Sequence, residues 1–193
     1  MKIILASQSP RRREILTLMD IPFEVIESHV QEIPPAGATP EELVKALAEQ
    51  KARAVFRLHP EDCVIGADTV VDLDGRVLGK PYTPERAKEY LRLLSGRSHI
   101  VYTGVCVLTP GHADVRSVRT DVTFRPMTEE EIDWYVGTGD PLDKAGSYGV
   151  QGPASLFVEH LEGNYFNIIG MPAPTLYEML LEARVIDRRH RVL

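Results

Sequence analysis

Apolar positions fall into short continuous or alternating runs interleaved with stretches of helical spacing. The runs predict strands at residues 2–6, 23–27, 63–73, 77–79, 100–108, 115–124 and 156–161. The three-to-four-residue spacing predicts helices over 10–19, 40–59, 84–94, 129–136 and 174–185. Thr39 with Glu42 and Thr128 with Glu131 have the spacing of capping boxes, and Gly96 suits the stop of the third helix. Leu73-Asp74-Gly75-Arg76 reads as a hairpin turn, because Asp-Gly tolerates the positive φ angles such a turn requires. Thr109-Pro110-Gly111 starts a second tight connection. Helices alternate with strands, yet hairpins occur, so the class is α/β with a mixed twisted sheet flanked by helices.

A chain of 193 residues suits one domain and can bury a sizeable core. We expect that domain over residues 1–186 and a frayed, charged tail over 187–193. A net charge of −6 argues against binding a nucleic acid polymer or an anionic membrane, but not against a small polyanion in a local basic pocket. Cys63 and Cys106 lie in strand-like runs with no CxxC pairing, which reads as buried thiols in a reducing compartment. The first apolar run is too short for a signal peptide, and no run reaches membrane-spanning length. The expected location is cytoplasmic.

The first helix departs from the others in its charge. Ser9 fits the N-cap and Pro10 the first position, but Arg11, Arg12 and Arg13 fill the first turn. A helix N-terminus carries partial positive charge and prefers carboxylates. The helices beginning after Thr39, Thr83 and Thr128 place glutamates there. A start that gathers arginine instead suits an anion, most naturally phosphate. The plainer alternative is a surface cluster paired with acids from elsewhere. Helical spacing puts Arg11 above Ile15 and Arg12 above Leu16, at the open end of the core-facing side, and turns Arg13 to solvent.

Asp68 interrupts an apolar strand, where a carboxylate needs a paired charge or a bound cation. Lys80 follows the hairpin in Gly79-Lys80-Pro81. Residues 137–152 contain five glycines together with Asp140, Asp143, Lys144, Tyr148 and Gln151. Such a loop can present backbone amides to phosphate, or it can be an ordinary surface connection. The Gln151 amide, which both donates and accepts, matches the N3–H and O4 edge of uracil or thymine. Glu32 matters if it converges with Asp68 on a metal. HExxH, GxGxxG, Walker and GxSxG motifs are all missing, which disfavours zinc, dinucleotide, P-loop and serine-hydrolase chemistry.

Seven segments occur in an order that resembles the Maf-type nucleoside triphosphate pyrophosphatases, relatives of septum-formation inhibitor proteins. They are Ala6-Ser7-Gln8-Ser9-Pro10-Arg11-Arg12, Glu49-Gln50-Lys51-Ala52, Gly66-Ala67-Asp68-Thr69-Val70-Val71, Gly79-Lys80-Pro81, Ser95-Gly96-Arg97-Ser98-His99, the stretch from Pro141 to Gly152, and Asn167-Ile168-Ile169-Gly170-Met171-Pro172. The resemblance spans nearly the whole chain. It implies a Maf/ITPase-like fold with two lobes around a central cleft, often dimeric, that cleaves a nucleoside triphosphate with a divalent metal. It also implies specificity positions at Arg11, Thr69 and Gln151, a proton acceptor at Asp68, a catalytic lysine at Lys80 and an active-site acid at Glu32. The family often shows a paired acid there, where this chain has Gln31. The Gln151 match favours the dTTP/UTP subgroup over those taking 7-methyl-GTP or CTP.

The expected reaction is hydrolysis of dTTP or UTP to monophosphate and pyrophosphate. Asp68 and Glu32 would hold Mg²⁺ or Mn²⁺. Ser9, Arg11, Arg12, Lys80 and Lys144 would serve the phosphates, and Thr69 with Gln151 the base. A homodimer is part of the expectation, and no nucleic acid or membrane partner is. Two alternatives from other classes are a nucleotide-binding regulator of cell division with little or no turnover, and a transferase using an acceptor other than water.

Overall fold

The computed structural model describes residues 1–193. The strands are β1 (Ile3–Leu5), β2 (Glu24–Val25), β3 (Cys63–Leu73), β4 (Arg76–Leu78), β5 (Ser98–Thr109), β6 (His112–Phe124) and β7 (Val158–Glu162). The helices are α1 (Pro10–Leu18), α2 (Pro40–Phe56), α3 (Pro84–Leu94), α4 (Glu129–Gly137), α5 (Tyr165–Ile169) and α6 (Ala173–Glu182). The seven strands form a mixed sheet in the order β2-β1-β3-β5-β6-β7, with β4 paired to β3. β1 runs parallel to β2 and β3, whereas β3 with β4 and β6 with β7 are antiparallel. The α/β class read from the alternation of patterns is the class observed. No helix is long and apolar enough to cross a membrane.

Local chemistry explains most element boundaries. Both predicted capping boxes form, with Thr39 and Glu42 bonding reciprocally and Thr128 and Glu131 doing the same. Asp74 and Gly75 adopt φ of 54° and 84°, so Leu73 pairs with Arg76 across a two-residue hairpin. Gly96 takes φ 67° just beyond α3. The differences lie where structure is short. β7 begins at Val158 because Pro153–Phe157 forms a 3₁₀ turn first. The five-residue α5 is too brief to show a helical stripe.

The chain divides into two units. One comprises Met1–Asp68, Thr103–Val118 and Gly170–Leu193, and the other Thr69–Tyr102 and Arg119–Ile169. In the first unit, Ile4, Val64, Cys106 and Leu108 pack with Ala48, Ala52 and Val55 of α2. This packing is unusually close. A Cβ on Gly66 would lie 2.2 Å from the Ala48 carbonyl oxygen, and one on Gly104 would lie 2.2 Å from that of Val44. Neither glycine is needed for a special φ; each is needed for space. The C-terminal segment turns back within this unit. Leu193 N–H bonds to the Val185 carbonyl at 2.9 Å, and His190 Nδ1 donates to the Met19 carbonyl at 2.8 Å.

The second unit packs Leu91, Leu94, Ile132 and Tyr135 of α3 and α4 with Phe124 and Phe157. His99, Phe124 and Tyr148 meet edge to face, with centroids 5.0 Å apart for His99–Phe124 and 4.8 Å for Phe124–Tyr148.

Candidate active site

In the first unit, the arginine-bearing start of α1 is built by its own cap. Ser9 Oγ accepts from the Arg12 amide at 3.4 Å, and Pro10 occupies the first helical position. Ser9 is thus a capping residue. The first turn holds no acid, unlike those of α2, α3 and α4. Arg11 and Arg12 are partly buried and Arg13 is exposed, as their helical spacing predicts. Arg12 is fixed from two sides, with Nε donating to the Gly170 carbonyl at 2.9 Å and a terminal nitrogen donating to Ser7 Oγ at 3.2 Å. Burial pulls the Arg12 guanidinium below its ordinary value; the Asp68 carboxylate opposes this, Arg11 adds to it and Glu32 opposes it.

The partly buried carboxylate of Asp68 has a partner on α2. Lys51 on α2 brings Nζ to 2.5 Å from Asp68 Oδ1 and 2.9 Å from Glu32 Oε1. The Lys51 and Asp68 side chains are each 13% exposed, while Glu32 is 44% exposed. Its neighbour Gln50 clamps the acid's loop, accepting from Ile33 N–H at 2.9 Å and donating to the Ile33 carbonyl at 2.8 Å. The only sequence signal for either residue was the segment Glu49-Gln50-Lys51-Ala52; a helical Gln-Lys pair is otherwise ordinary surface composition.

Asp68 and Glu32 therefore converge on one cation. No cluster of three or more His, Cys, Asp or Glu side chains suited to a metal exists. Two hard carboxylates are nonetheless a fitting protein share for Mg²⁺ or Mn²⁺, which complete their shells with phosphate oxygens and water. The residues fit such an ion.

The remaining candidates belong to the second unit. Thr69 is partly buried, and Lys80 and Gln151 are exposed. The Lys80 loop is tied to the glycine-rich segment. Gly146 N–H bonds to the Gly79 carbonyl at 3.1 Å, and Tyr82 N–H to the Leu142 carbonyl at 3.2 Å. Gly146 requires glycine twice over, since its φ is 66° and a Cβ would lie 2.6 Å from Val71. Lys144 is held within its own loop. Its ammonium meets the Asp140 carbonyl at 2.6 Å, Asp143 Oδ1 at 2.8 Å and Asp140 Oδ1 at 3.0 Å. Three acceptors match its three N–H donors, so here it braces the loop. Tyr135 OH, in turn, donates to Asp140 Oδ2 at 2.7 Å and accepts from Gly149 N–H at 3.4 Å. Tyr148 OH lies 2.8 Å from His99 Nε2.

A family model described as Maf-like protein matches residues 2–183. The chain belongs to the Maf family. A relative named dTTP/UTP pyrophosphatase, from Bacillus mycoides (strain KBAB4), is 51% identical to this Maf chain over 179 residues, covering 93% of it and 94% of the relative. A protein of the same name from Bacillus cereus (strain AH187) is 48% identical over 184 residues, covering 95% and 96% respectively. The solved Staphylococcus aureus Ham1 protein shares the fold, with a TM-score of 0.52 at 14% identity over 95% of this chain and 99% of that one.

Proposed function

We propose that this Maf protein hydrolyses dTTP and UTP between the α- and β-phosphates, releasing the monophosphate and pyrophosphate. The observation that carries the reading is one unit holding both a phosphate-type helix start, with Arg12 fixed by Gly170 and Ser7, and a carboxylate pair, Asp68 and Glu32, meeting at one cation. The names of the Bacillus relatives supply the substrate class.

Arg11 and Arg12 bind the triphosphate, with Ser9 holding the first turn of α1 in place. Asp68 accepts a proton from the attacking water as its oxygen bonds to the α-phosphorus. The bond to the bridging oxygen breaks, and Arg11, Arg12 and Lys80 offset the charge of the departing pyrophosphate. Asp68 and Glu32 would hold a divalent metal, which supplies charge neutralisation and Lewis acidity when bound. Thr69 and Gln151 read the pyrimidine edge, and Lys144 fixes the segment that carries Gln151.

The test is turnover of dTTP and UTP with Mg²⁺ or Mn²⁺, with products resolved by chromatography. Pyrophosphate with dTMP or UMP supports the reading. Orthophosphate with dTDP or UDP overturns it. Tight binding without turnover under either metal favours the regulator.

A further inference from the structure

We propose that Lys51 is the resident cation of the Asp68–Glu32 pair, so that a divalent metal enters with the nucleotide and not ahead of it. The inference rests on the reading of these carboxylates as metal-holding groups of a nucleotide hydrolase. One ammonium nitrogen touches both acids, at 2.5 and 2.9 Å. Lys51 Nζ thus already occupies the two carboxylates that would hold a divalent ion. Lys51 is not a wandering surface lysine. Its side chain is 13% exposed, and its neighbour Ala52 packs against Gly66, two residues before Asp68 on the same strand. A bare metal ion must therefore displace a partly buried, doubly paired ammonium.

The surrounding charge points the same way. The two carboxylates already face Lys51, and Arg12 senses Asp68, Arg11 and Glu32. A free dication approaching this cluster finds its negative charge already matched. No third acid or histidine stands ready to tip the balance. A metal carried on a triphosphate arrives with excess negative charge, which gives the displaced Lys51 ammonium a new partner in a phosphate oxygen. Lys51 would thus exchange carboxylate for phosphate as the substrate binds.

The proposal makes a counterintuitive prediction: deleting a positive charge and its tether creates metal affinity. Mn²⁺ binding to nucleotide-free protein is measured from the electron paramagnetic resonance signal of free Mn²⁺. Lys51→Met is expected to bind Mn²⁺ on the order of tenfold or more tighter than the unmodified chain. Lys51→Arg should bind as weakly as the unmodified chain, and Lys51→Met combined with Asp68→Asn should lose the gain. If Lys51→Met does not fold, Lys51→Gln, which keeps an N–H donor toward Asp68, carries the same expectation. Equal Mn²⁺ affinity with and without the lysine overturns the proposal, as does a gain that survives loss of Asp68. Pyrophosphate release by the unmodified chain is scored separately. Its failure would remove the hydrolase reading while the Mn²⁺ comparison still decides the role of Lys51.

Discussion

Arg12 Nε donates a 2.9 Å hydrogen bond to the carbonyl oxygen of Gly170, 158 positions along the chain. That bond, with the one to Ser7 Oγ, sets the plane of a guanidinium in the first turn of α1. A lysine places charge there but cannot satisfy both acceptors in a fixed plane. Arg12→Lys is therefore expected to lower kcat/KM for UTP about 10²-fold, measured by pyrophosphate release. Arg13→Ala removes an exposed side chain and should change kcat/KM by no more than about twofold.

Asp68 Oδ1 lies 2.5 Å from Lys51 Nζ, the shorter of the two carboxylate contacts that the ammonium makes. Asp68→Asn keeps the shape of the side chain and removes its basicity. The expected result is a fall in kcat of about 10²- to 10⁴-fold, with the melting temperature changed by a few degrees. An unchanged kcat would take Asp68 out of the chemistry.

Gly66 allows α2 to lie against β3 closely enough for Lys51 to reach Asp68. Gly66→Ala drives a Cβ into the Ala48 backbone and should cost about 1–3 kcal/mol in urea unfolding. Gly137, at the end of α4, has nothing within 4 Å of its would-be Cβ and a negative φ, so Gly137→Ala should be neutral or stabilising by up to about 1 kcal/mol.

His99 is 3% exposed, and burial lowers its pKa from 6.5 to about 4. The folded state thus keeps it neutral at a pH where the unfolded chain binds a proton. Its contribution is complete above pH 6.5 and is lost as pH falls toward 4, a change on the order of 3 kcal/mol. Urea unfolding across that window should show stability rising with pH. His99→Gln, which can still bond Tyr148, should flatten the slope.

Tyr135 OH joins Asp140 to the Gly149 amide beneath the glycine-rich segment. Tyr135→Phe leaves both groups short of a partner and should cost about 1–3 kcal/mol. Because the segment carries Gln151, KM for UTP should rise more than kcat falls, as steady-state kinetics would register.

Much of the fold was legible because its causes are local. The capping boxes at Thr39/Glu42 and Thr128/Glu131 close over three residues, and the Asp74-Gly75 turn needs only its own φ angles. The 3.6-residue period alone separated Arg11 and Arg12 from Arg13. The partners of Lys144 were not legible in the same way: Asp140 and Asp143 converge on its ammonium once the 3₁₀ turn Asp140–Asp143 forms.

The sequence by itself determined the strands, the long helices, their caps and the anomalous positive charge at the start of α1, because each depends on neighbours within about one turn of chain. Only the tertiary structure decided which charges meet. Lys51 reaches Asp68 across 17 positions because Gly66 and Ala52 let a helix touch a strand, and Arg12 finds Gly170 across 158. A buried charge takes whichever partner the packing brings within about 3 Å, and no periodicity in the chain encodes that choice.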